Sequence, residues 1–161
     1  VKKLLAMGLF GMSSLACATD TISVARVTPY VDGAANIEVR KECTWNKKIG
    51  DNIARQSKGR VAVTDQDLSQ VKGPVLMLSV TIVHTMGGGL FTGPKWARVK
   101  GELRDGDKLV GLIEMHRTTT FSSVSGCGAL DKIGKEIASD FADWLEHPTI
   151  ETPEPDEEPA T

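Results

Sequence analysis

The chain has 161 residues, with 19 lysines and arginines against 21 aspartates and glutamates, and only three cysteines and three histidines. Charge this close to balance, with no basic stripe, gives nucleic-acid binding no electrostatic support. No apolar run reaches the roughly 20 residues of a membrane-spanning helix.

The N-terminus sets the compartment. Val1, Lys2 and Lys3 form a basic start, Leu4 to Leu15 a short apolar run, and small residues follow. This is the pattern of a secretory signal peptide over 1–18, leaving about 130 residues, one domain's worth, over 19–148. Two cleavage readings stand side by side. Ala16-Cys17-Ala18 fits small-x-small cleavage and a soluble chain starting at Thr19. Ser14-Leu15-Ala16-Cys17 resembles a bacterial lipobox and makes Cys17 a lipidation candidate. Either way the chain is exported, to the periplasm or beyond, or lipid-anchored at the envelope. Cys43 and Cys127 then remain, and an even count in an exported chain points to a disulfide. Two separate buried thiols are the alternative. A zinc site from both cysteines with His84 and His116 matches by residue type alone, because no close-spaced ligand pair exists, and no metal is expected.

In chain order, Ile22, Val24 and Val27 predict a first strand, and Ile37 with Val39 a short extended piece. Thr44 reads as an N-cap for a helix carrying Trp45, Ile49 and Ile53 on one face and stopping at Gly59. Val61 and Val63 read as a short buried strand, and 65–71 as a helical turn. Three long strands follow over 75–118. In the first, Leu76, Leu78, Val80 and Ile82 alternate onto one face. In the second, Ala97, Val99, Gly101 and Leu103 oppose Arg98, Lys100, Glu102 and Arg104, the pattern of an antiparallel strand with a wet outer face. Asp105-Gly106-Asp107 supplies a hairpin turn. The third strand is apolar on both faces, which places it inside the sheet. The last helix, 129–145, carries Leu130, Ile133, Ile137, Phe141, Trp144 and Leu145 on one side and charges on the other. Gly134 near its apolar face predicts close approach to the sheet. Residues 149–161 are acidic, proline-rich and too polar to fold alone. The fold class is therefore α/β (α+β): a mixed, mostly antiparallel sheet, an early crossover helix and a C-terminal amphipathic helix on one face.

Catalytic chemistry is hard to assemble. Gly88, Gly93 and Lys95 approach phosphate-loop spacing, but Pro94 intervenes and a strand follows where a helix N-terminus is needed. That glycine-rich stretch reads as a hairpin loop presenting Leu90 and Phe91, adjacent apolar side chains that fit a partner contact. His116 shares a strand face with Glu114, the one arrangement that could serve a hydrolase. Ser122, Ser123 and Ser125 lack a nucleophile-elbow motif. No catalytic residue and no cofactor is assigned.

Gly87-Gly88-Gly89, the turn Gly93-Pro94-Lys95-Trp96, the run Cys127-Gly128-Ala129-Leu130 and the helix end Ile137-Ala138-Ser139-Asp140-Phe141-Ala142-Asp143-Trp144-Leu145 carry a resemblance. The chain resembles small exported bacterial envelope proteins and lipoproteins of unknown function, whose layout is similar to the N-terminal domain of TolB. The likeness spans roughly 37–148 and transfers no catalytic residue. It implies a non-catalytic cell-envelope protein that binds another envelope protein or assembly. The alternatives are a small-molecule-binding envelope module, with an apolar pocket between sheet and last helix, or a hydrolase using His116 and Glu114.

Overall fold

The computed structural model describes residues 21–85, 94–119 and 125–151. The expected signal segment with Cys17, the pair Leu90 and Phe91, and the residues beyond Glu151 lie outside the described residues. Strands β1 (Ile22–Ala25), β2 (Val61–Thr64), β3 (Pro74–His84), β4 (Lys95–Asp105) and β5 (Lys108–Thr119) form one mixed sheet in the order β2-β1-β3-β4-β5. β1 pairs parallel with both β2 and β3, while β3-β4 and β4-β5 are antiparallel. Helices α1 (Ile37–Glu42) and α2 (Ile49–Gln56) make the crossover from β1 to β2, and α3 (Gly126–Trp144) follows the meander. The expected fold class is the one observed.

Two glycines decide how α3 sits. A Cβ on Gly101 of β4 would overlap Cε1 of Phe141, and one on Gly111 of β5 would lie 2.5 Å from Cζ2 of Trp144. Each glycine is a notch that receives an aromatic ring of the helix. α2 then packs beside α3, where a Cβ on Gly134 would lie 3.2 Å from Cε3 of Trp45. Gly134 thus serves helix–helix contact, not the helix–sheet contact expected of it. Trp45, Ile49, Ile53, Leu130, Ile133, Ile137 and Phe141 are fully buried between these layers. The Cys43–Cys127 disulfide, with Cα atoms 5.1 Å apart, ties the end of α1 to the first turn of α3 across 84 residues of sequence.

Several expectations are corrected. Ile37 and Val39 lie in a helix, not in an extended piece. Asn36 caps it by accepting from the Val39 amide at 2.9 Å, and Ile37 is left outward. Trp45 belongs to a separate 3-10 turn, Trp45–Lys47, which precedes α2. The third meander strand is an edge strand. Thr149–Glu151 return to its free edge, with the Leu112 amide donating to the Thr149 carbonyl at 2.9 Å and the Glu151 amide to the Leu112 carbonyl at 2.7 Å. The chain therefore stays on the sheet three residues past the expected boundary at 148. Ile82 is exposed because the register shifts between Val80 and Ile82, and Val83 turns to the core instead. The space between sheet and α3, where an apolar pocket would favour a small-molecule module, is filled by Phe141 and Trp144.

Two stability experiments follow. Gly101→Ala should lower urea-unfolding stability by about 1–3 kcal/mol through overpacking, and adding Phe141→Leu should cost less than the sum of the two changes, since the side chains share one space. Replacing both Cys43 and Cys127 by alanine should cost about 2–5 kcal/mol by the same assay, the range for loss of a native bridge in a small domain.

Candidate functional site on the open sheet face

The helices cover one face of the sheet. Alternation along the strands sends the other side chains of β3, β4 and β5 to the opposite face, where they pair in register across three strands. Among the described residues, the 3-10 turn Leu68–Gln70 lines a groove beside Met77, and Tyr30 bridges to Val80 beside β3.

Its centre of order is Trp96. In register, Trp96 stands opposite His84, and their rings stack with centroids 5.4 Å apart and planes 9° from parallel. His116 meets the same indole edge-on at 5.4 Å. The Arg98 guanidinium lies 5.7 Å from the indole centroid, within cation–π range. A ladder of three rings and one cation therefore crosses β3, β4 and β5. Towards the far end of the same face, Glu102 takes Lys100 at 2.9 Å and Arg104 at 3.2 Å. The Lys100 hydrogen bond first, then that of Arg104, holds the Glu102 carboxyl below the usual carboxylate range. Met77 and Ile82 stand exposed on β3. An open groove of about 710 Å³, lined by Leu68, Val71, Val75, Met77 and Arg104, runs beside Met77.

This arrangement can bind; it does not assemble a general base with a nucleophile. Glu114 and His116 do share a face, as expected, but no hydrogen bond joins them. Glu114 accepts from the Thr81 hydroxyl at 2.5 Å, and the His116 Nε2 lies 3.4 Å from the Thr118 hydroxyl. Partial burial first, then Arg98 and Arg117, push the His116 pKa below 6.5, against an opposing pull from Glu114. The zinc constellation is not brought together either. Cys43 and Cys127 are bonded to each other in the helical layer, and His84 and His116 flank Trp96 on the outer face. Among the described residues no group of three His, Cys, Asp or Glu side chains is placed to hold a metal ion. Trp96 escaped the sequence reading as a site residue. The available signal was its parity with Arg98, but its partners follow only from the β3-β4 register.

No family model and no curated protein matches the chain. Solved structures do. A protein from Xanthomonas campestris assigned to the family DUF330 is 12% identical, with 78% of this chain and 82% of that one covered and a TM-score of 0.50. The PelC dodecamer structure from Paraburkholderia phytofirmans is 19% identical over 74% of this chain and 86% of that one, with a TM-score of 0.49. At 12% identity the likeness to the Xanthomonas campestris protein is one of fold.

The electrostatics of the ladder can be measured. The His116 ring protons should titrate below 6.5 by NMR, and Arg98→Gln should move that midpoint upward. The sign for stability follows from the depressed value. The unfolded chain takes up the proton first, so the contribution of neutral His116 is complete above 6.5 and is lost as pH falls through its folded value. An unchanged midpoint in Arg98→Gln would show that the guanidinium does not act on the ring.

Proposed function

We propose that this chain is a non-catalytic cell-envelope protein that binds another envelope protein through the open face of its sheet. The observation that carries this reading is the asymmetry of the sheet. One face is packed under α2 and α3, while the other carries exposed Met77 and Ile82 and a half-buried ladder centred on Trp96. Aromatic and methionine side chains interleaved with arginine are the composition of protein-binding surfaces.

Support for the setting comes from the sequence. The signal-peptide pattern over 1–18 and the Cys43–Cys127 bridge both suit an oxidising compartment outside the cytoplasm. The TolB-like layout points the same way. Release at Thr19 and lipid attachment at Cys17 are two forms of the same proposal. Leu90 and Phe91, in the sequence between His84 and Lys95, are a second proposed contact for the same partner. No helix among the described residues is long and apolar enough to cross a membrane. A second reading, a small-molecule module, draws on the groove beside Met77.

The test is site-specific photo-crosslinking in the native cells. A crosslinker at Met77 or Ile82 should give a discrete protein adduct, and one at Lys132 on the helical side should not. Trp96→Ala should reduce the adduct at least about tenfold, as expected for an aromatic anchor. Equal labelling from both sides of the molecule would overturn the reading. Loss of the Met77 adduct on Leu68→Arg, with no effect of Trp96→Ala, would favour the groove.

A further inference from the structure

We propose that the Trp45 indole N–H and the hydroxyls of Tyr30 and Thr28 bind one buried water molecule, which joins the 28–34 segment to the helix layer. The site lies on the helix side of the sheet and is independent of the function proposed for the open face. Each of the three polar atoms is shut off from solvent, and none has a hydrogen-bond partner among the described residues. Thr28 and Trp45 are each only 1% exposed. A buried hydroxyl or indole N–H without a partner has lost its hydration and gained nothing in exchange. Folded proteins leave few such groups.

Two segments carry the three atoms, and the backbone clamps them together. The Thr28 amide donates to the Asn46 carbonyl at 3.1 Å, and Asn46 Nδ2 donates to the Thr28 carbonyl at 3.0 Å. Thr28 is buried, Pro29 exposed and Tyr30 half-buried. That alternation puts the Thr28 and Tyr30 side chains on one side of their segment. The Tyr30 ring meets the Trp45 ring edge-on, with centroids 6.4 Å apart. Burial, first, raises the Tyr30 pKa above its ordinary value, while the Trp45 indole N–H and then Arg40 pull against it. The indole N–H is therefore turned towards the phenol oxygen, although the two make no hydrogen bond of normal geometry.

The donor set selects the occupant. An indole N–H can only donate, whereas a hydroxyl both donates and accepts. A water accepts from Trp45 and exchanges bonds with the two hydroxyls, about the three bonds a buried water typically makes. A metal ion would find no carboxylate, thiolate or imidazole among these three groups. An anion would lack a free counter-charge. The nearest cation, Arg40, lies 5.4 Å from the Tyr30 ring centroid and spends its donors on the Ala35 and Val31 carbonyls, each at 3.0 Å.

The water has a structural task. The segment above it runs along β3, where the Val80 amide donates to the Pro29 carbonyl at 2.8 Å, the Val31 amide to the Val80 carbonyl at 3.0 Å and the Val83 amide to the Ala34 carbonyl at 2.6 Å. These bonds hold the segment to the sheet. The water beneath Tyr30 holds it to the 3-10 turn that carries Trp45, so the segment is fastened to both layers.

The test is a crystal structure of the full chain at a resolution that shows buried water, together with NMR of the same protein. The expected result is one water within hydrogen-bond distance of both Trp45 Nε1 and Tyr30 Oη. In solution the Trp45 indole proton should show a cross-relaxation peak to water, of the sign given by a long-lived bound molecule. The Trp144 indole proton, which is donated to Thr149 Oγ1 at 3.3 Å, should not. Tyr30→Phe should remove the water and the peak and speed hydrogen exchange of the Val31 and Val83 amides about tenfold, the effect of one lost hydrogen bond. Thr28→Val, which keeps the side-chain shape, should weaken the same peak, and Thr28→Ser should preserve it. A direct Tyr30–Trp45 hydrogen bond with no water between them would overturn the proposal. So would a dry site, or a peak unchanged in both Tyr30→Phe and Thr28→Val.

Discussion

The structure depends on two rings entering two notches. Phe141 over Gly101 and Trp144 over Gly111 fix the height, rotation and register of α3 on the sheet. Each buried aromatic is worth about 4–6 kcal/mol by area, as an upper bound. Once α3 is seated, α2 has one place to go, beside it, with Trp45 against Gly134 and the Gly50 backbone close to the Ala25 carbonyl of β1. The disulfide pins the start of α3 to the end of α1, so both ends of the helix layer are held. The fully buried apolar side chains, from Trp45 to Phe141, are thereby committed to one side. The opposite face keeps its side chains because nothing in the described chain is left to cover it.

Sequence reading reached the elements whose physics is local. β4 alternates cleanly, and its buried set, Ala97, Val99, Gly101 and Leu103, is the one observed. The face of α3 was equally legible, since five turns of periodic residues average out single exceptions. Failure came where neighbours decide. Ile37 and Val39 are β-branched and alternate, so they read as extended. The short helix there depends on the Asn36 cap and on one buried residue, Val39. Ile82 follows its parity into the core until a bulge at Thr81 inverts it. β5 reads as interior because both its faces carry apolar residues, and the segment that returns to its free edge lies nearly forty residues downstream.

The binding surface was half legible for the same reason. The row Arg98, Lys100, Glu102, Arg104 was visible as a wet face from alternation alone. The ring ladder was not, because it joins His84, Trp96 and His116 from three strands, and only the hairpin registers bring them together. Single residues there look unremarkable: two histidines on strands and a tryptophan after a turn. Their chemistry emerges from 5.4 Å spacings that no linear motif encodes. The disulfide is the opposite case. Cysteine parity and export predicted it without any knowledge of distance.

The two free borders of the sheet differ in a way that bears on partner choice. β2 is a four-residue edge, too short to seat much. β5 is twelve residues long, and an unpaired edge of that length invites pairing with any extended chain. The molecule restrains it at one end with its own Thr149–Glu151 segment. At the other end Arg117 is held by Asp140 on the helix side, while the outer side carries Arg98 and Lys100 beside the carboxylates of Glu102 and Glu114. Charged side chains of both signs along a long edge strand work against edge-to-edge pairing with other chains.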